Sequence, residues 1–190
     1  VSLPVYFIII SVIQGVSVGS QTLIANSLGE SKGRNAKFLC SQALSFGAVA
    51  SLLLTLIGTF STRPILDLIG VEKGAFAYAA VYLEYTYLAS FFLILTNTMA
   101  AILMAHGIAR PYRNWVIFSF VLHFIGDPWL IYGGLGVPAF GFFGIVYATL
   151  ITILIGSLFM GYCLYKSGLM KQMTYKELIP SRLEFWELTK

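Results

Sequence analysis

VLHFIGDPWLIYGGLGVPAFGFFGIVYATLIT, residues 121–152, reads as the end of one apolar segment, a turn, and the start of another. Gly133, Gly134, Gly136 and Pro138 punctuate its centre as turn residues do. The flanks are apolar enough for a membrane, yet His123, Gly126, Asp127 and Pro128 fall within six residues of each other. Two apolar helices joined by a tight turn are expected here, with a group of polar residues that the hydrocarbon does not explain.

The rest of the chain fits a lipid setting. Of its 190 residues, 58% are hydrophobic and only 11% charged, with mean hydropathy +0.83, against about 25% charged in an average soluble domain. A transmembrane helix needs about 20 mainly apolar residues to cross a core of roughly 30 Å. Five runs meet that need: Leu3–Leu28, Ala36–Phe60, Ala75–Ala105, Tyr112–Tyr132 and Ala139–Tyr165. The expected fold is an all-α integral membrane bundle over residues 1–165. A cytoplasmic amphipathic linker or tail follows over 166–190, where Leu183, Trp186 and Leu188 alternate with charges. The first run is too long for a signal-peptide core and has no basic segment before it. The chain opens on Val1, so a fragment is expected.

The net charge of +4 is placed like a topology signal. Lys32, Arg34 and Lys37, then Arg110 and Arg113, then Lys166, Lys171, Lys176, Arg182 and Lys190 fall on one side of the expected crossings; Arg63 and Lys73 fall on the other. Basic residues accumulate in cytoplasmic loops. The amino terminus is therefore expected outside and the tail inside, in a plasma (inner) membrane, with lipid rather than nucleic acid as the partner. Cys40 and Cys163 lie in apolar runs without CxxC spacing and read as buried thiols. Phosphate-loop, dinucleotide, zinc-hydrolase and serine-elbow patterns do not occur, so no enzyme, cofactor or metal site is expected.

Gly15 and Gly19 form a GxxxG pair suited to close helix packing. Gln14 and Gln21 beside them need protein or a wet cavity to face. In STRPILDLIGVEKG, residues 61–74, the ILDLIG core, residues 65–70, resembles a short amphipathic element lying in the interface. Glu84 sits among Tyr82, Tyr85 and Tyr87, about 14 Å along its span from Ala75, and a structural role near the headgroups is favoured over a functional one. Pro111 can start the fourth helix.

His123 and Asp127 are four apart and project from one helix face, where they can share a proton or a cation. Pro128 denies the Phe124 carbonyl its donor and Gly126 removes bulk beside it, so a kink is expected. Burial raises a carboxyl pKa and a nearby cation lowers it, so such a group can change protonation with the occupant of a cavity. Ion coupling and a buried lock between helices both fit the pair; ionisable residues inside a membrane mark ion or substrate pathways by default.

NSLGESKGRNAK, YLEYTYLASFF, ILMAHGIARPYRN and, above all, residues 121–152 resemble the amino-terminal lobe of MATE multidrug and toxin extrusion transporters. That family shows an asparagine four residues before an aspartate, a glycine-rich outer turn with a proline, a GxxG-like helix start and an Ala-Thr pair. Asp127, the GGLGVPAFG turn, Gly141 to Gly144, and Ala148-Thr149 follow in register, while His123 stands where asparagine is expected. The resemblance implies half of a twelve-helix antiporter, its helices two to six. Such an antiporter exports cationic or amphipathic drugs or metabolites in exchange for H+ or Na+, and needs a first helix and a second lobe to be complete. It makes Asp127 and His123 the ion-coupling pair, with Gln14, Gln21, Asn97 and Thr149 as cavity-lining candidates. Other readings remain open: a lipid-linked saccharide flippase of related fold, an intramembrane enzyme using His123, Asp127, Glu84 or His106, and a truncated remnant that transports nothing. Histidine, with an unperturbed pKa of about 6.5, suits a proton better than sodium.

Overall fold

The computed structural model describes residues 2–30, 33–134 and 136–170. The expected tail beyond Met170 and the loop residues Ser31 and Lys32 lie outside the described residues. Five helices follow one another: α1 (Ser2–Gly29), α2 (Gly33–Leu68), α3 (Lys73–Ala105), α4 (Arg110–Tyr132) and α5 (Phe142–Lys166). All five are long and apolar enough to cross a membrane. Helix is what such runs must adopt in lipid, because it satisfies every backbone N–H and C=O within the segment.

The central element is α3, which packs against α1, α2 and α5; half of its apolar stretch is buried, against 6% for α4, which leans on α5. One core gathers Ile9, Ile13, Leu66, Leu83 and Ile94 from α1, α2 and α3. A second gathers Ile24, Cys40, Leu103, Trp115 and Met160 from all five helices.

Residues 61–68 depart from the expected separate interfacial element. They continue α2 through Pro64 to Leu68. A proline inside a helix costs one hydrogen bond, but Leu66 is fully buried against α1 and α3 and holds the segment in line. The helix stops at Gly70, whose φ is 72°; its N–H reaches the Asp67 carbonyl while that of Val71 reaches Leu66. This is a Schellman ending, and Gly107 closes α3 in the same way. Pro128 likewise leaves α4 helical to Tyr132.

The expected start of the fifth span at Ala139 moves to Phe142. Phe140 and Gly141 donate their N–H groups to the Leu130 and Ile131 carbonyls, 3.0 and 3.1 Å away, and so close the end of α4 instead of opening α5. Trp129 Nε1 donates to the Gly134 carbonyl at 2.9 Å, which pins the turn to the helix before it.

The close packing expected at the GxxxG pair is found elsewhere. A Cβ on Gly15 would meet nothing within 4 Å, and neither would one on Gly126; Gly19 is half-buried. The close approaches are at Gly58, where a Cβ would fall on the Tyr87 ring, and at Gly144, where it would come within 2.6 Å of the Leu130 carbonyl. Small residues serve membrane packing only where a neighbouring helix lies above them, and none of the described elements covers Gly15. Gly144→Ala should therefore lower thermal stability in detergent by roughly 1–3 kcal/mol, the usual cost of overpacking. Gly15→Ala should stay within about 0.5 kcal/mol of the parent; equal melting temperatures for the two variants would contradict this seam.

Candidate functional site

A cavity of about 270 Å³ lies between α3, α4 and α5, with Ile9 of α1 at its edge. Helical periodicity builds its walls. On α3, residues 82, 85, 86, 89, 90, 93 and 96 line one face; on α5, residues 146, 149, 150 and 153 do the same. On α4, Trp115, Ser119 and His123 are each four apart, and Asp127 continues the row.

Five hydroxyls of the wall have already spent their protons. Thr86 donates to the Tyr82 carbonyl at 2.7 Å, Ser90 to Tyr87 at 2.6 Å, Thr96 to Phe92 at 2.7 Å, Ser119 to Val116 at 2.9 Å and Thr149 to Ile145 at 2.9 Å. A hydroxyl has one proton to donate and two lone pairs to accept with. The wall therefore offers acceptors, and with the rings of Tyr82, Tyr85 and Trp115 it suits a ligand that is apolar, rich in N–H or O–H donors, or positively charged.

His123 and Asp127 meet as their spacing predicts: Nδ1 lies 3.1 Å from Oδ1, with side chains 36% and 32% exposed. His123 is part of the cavity wall; Asp127 is not among the wall residues and meets the cavity through the imidazole. With Nδ1 engaged by the carboxylate, Nε2 is the ring nitrogen left for a ligand, an acceptor in the neutral ring and a donor in the protonated one.

The other sequence candidates separate. Thr149 lines the cavity. Gln14 is exposed and Gln21 half-buried, and neither is a wall residue. Asn97 is a strut, donating Nδ2–H to the Leu93 carbonyl at 2.8 Å and accepting from the Tyr112 hydroxyl at 3.2 Å, which ties α3 to α4. Glu84 pairs with Arg63 of α2 at 3.4 Å, a structural contact. His106 rests against its own helix, Nδ1 2.8 Å from the Ile102 carbonyl. Gln14, Gln21, Asn97, Glu84 and His106 are not among the wall residues of the cavity that His123 lines. Sequence reasoning passed over Tyr85, Thr86, Ser90, Thr96, Trp115 and Ser119; their signal was the hydroxyl and aromatic stripe at helical spacing, which looks like core until α4 and α5 are placed opposite it.

The MatE family model matches residues 1–129, more than half of the sequence. The chain belongs to the MatE family. It is similar to the probable multidrug resistance protein YoeA of Bacillus subtilis, 29% identical over 78% of this chain and 32% of that protein. It is also similar to the probable multidrug resistance protein NorM of Oceanobacillus iheyensis, 26% identical over 94% of this chain and 40% of that one. Among solved structures, MATE in the straight conformation superposes with a TM-score of 0.85 at 26% identity, covering 97% of this chain and 40% of the other. The chain thus spans about a third to two fifths of the length of these MatE relatives.

Tyr112→Phe should remove the α3–α4 strut and cost about 0.6–1.7 kcal/mol, the range of side-chain hydrogen bonds between membrane helices. Gln14→Leu should leave stability unchanged. Denaturant unfolding in detergent checks both, and a Tyr112→Phe variant as stable as the parent would remove the strut.

Proposed function

We propose that this MatE chain forms part of a secondary active antiporter that exports cationic or amphipathic small molecules in exchange for protons, with Asp127 as the coupling carboxylate and His123 as its partner. The observation that carries the reading is the 3.1 Å His123–Asp127 contact on a wall of hydroxyl acceptors and aromatic rings. A cation in such a cavity and a proton on the imidazole–carboxylate pair compete for the same negative charge. Binding of one weakens binding of the other, which is the differential affinity that exchange requires. The multidrug resistance names of two relatives support an efflux role.

A proton is favoured over sodium because His123 offers a nitrogen, whereas a hard cation seeks oxygen. The flippase alternative has less support, since among the described residues the lining of the cavity includes no Lys or Arg to hold a pyrophosphate. The basic residues of the α1–α2 and α3–α4 connections and of the tail support a cytoplasmic placement for that end of the bundle. A first helix and a second lobe would complete the alternating-access machinery, as the partial coverage of the relatives supports.

In the complete natural polypeptide, Asp127→Asn should reduce efflux of ethidium from loaded cells to the level of cells lacking the transporter. His123→Asn, which restores the residue the family resemblance expects, should keep efflux while flattening its dependence on external pH. Efflux and pH dependence both unchanged in Asp127→Asn would overturn the coupling role.

A further inference from the structure

A second hollow, about 510 Å³, lies on the outer surface of the bundle, where α2 and α5 flank the face of α3. Thr59, Glu84, Tyr85, Leu88, Phe143 and Tyr147 line it. Its chemistry differs from that of the first cavity, because a carboxylate stands at its rim with a guanidinium beside it: Arg63 Nε lies 3.4 Å from Glu84 Oε1. The Arg63 side chain is 73% exposed and the pair meets through one long contact, so it is weak and open to exchange of partners.

The position in the membrane narrows the occupant. With 36 residues α2 is about 54 Å long, against a hydrocarbon core of roughly 30 Å. Arg63 lies five residues, about 8 Å, from the end of α2 at Leu68, within the part of the helix that exceeds the core. Tyr78, Tyr82 and Trp129 gather at the same end of the bundle as interfacial aromatics do. The hollow thus runs from Phe143, in the first turn of α5 beside Tyr78, past Glu84 to Leu88, one turn deeper on α3.

We propose that this hollow is a binding site for phosphatidylethanolamine. The lipid phosphate takes the Arg63 guanidinium, its ammonium takes the Glu84 carboxylate, and one acyl chain descends along Leu88. A simple cation is repelled by Arg63 and an anionic lipid by Glu84; a zwitterion satisfies both. A primary ammonium brings hydrogen-bond donors that a quaternary one lacks, which selects ethanolamine over choline. Tyr85 lines both hollows, so the lipid touches a wall of the solute cavity.

Native mass spectrometry of the detergent-purified natural polypeptide, titrated with phosphatidylethanolamine, phosphatidylcholine and phosphatidylglycerol of matched chains, tests this. Phosphatidylethanolamine should form adducts at roughly fivefold lower concentration than either competitor, the scale of one charge contact at a membrane surface. Arg63→Gln and Glu84→Gln should each abolish that preference. Leu88→Trp, which keeps both charges and fills the hollow, should reduce the same adduct and serves if a charge variant fails to fold. Equal adducts of the three lipids, equal adducts of the ethanolamine and choline lipids, a preference for phosphatidylglycerol, or a preference surviving Arg63→Gln with Glu84→Gln would each overturn the site. The readout is independent of transport, so a failed coupling role for Asp127 leaves it standing.

Discussion

The bundle depends on how closely α3 can be approached. In lipid the helices gain little from leaving water, so association rests on packing and on the few polar contacts between helices. Gly58 on α2 provides that packing by accepting the Tyr87 ring against its backbone, and Gly47 admits Thr98 of the same helix. Around this seam α1 closes one side and α5 another. The α4–α5 pair is held on separate terms, by Gly144 against the Leu130 backbone, Gly156 against the Trp115 ring, and a turn whose amides finish the preceding helix.

Those two seams leave the space between them as the cavity. Its character follows from a local rule, since Ser and Thr inside membrane helices turn their protons back on their own carbonyls. Hydroxyl groups that donate in water become acceptors when five of them along one wall give their protons to their own helices. His123 enters that space from α4 with Asp127 one turn behind it on the same face. The imidazole thereby joins the carboxylate to the cavity wall. Polarity is elsewhere used for structure: Asn97 and Tyr112 tie α3 to α4.

Much of this is legible in the residues, and the parts that are not have physical reasons. Membrane spans are readable because a run of about 20 apolar residues has few other uses, and His123 with Asp127 is readable because a four-residue spacing fixes one face. Pro64 misleads, since its local effect ends a helix while the burial of Leu66 keeps the helix going. Gly15 has no neighbour among the described elements; a GxxxG pair states that a helix can be approached, and only a neighbour decides whether it is. The hydroxyl stripe of α3 was hidden because the same spacing serves a core.

The sequence by itself determined five apolar helices, the turns that join them, the MATE resemblance and the pairing of His123 with Asp127 within one helix. Each is a short-range property, fixed by hydropathy, backbone chemistry or a spacing within one turn. The tertiary structure alone decided which glycines carry the seams, that Asn97 is a strut while Thr149 faces a cavity, and that Glu84 answers to Arg63 across 21 positions of chain. Those depend on which faces of different helices meet, and in lipid that choice is made by packing between distant residues and leaves little trace in either strand of sequence alone.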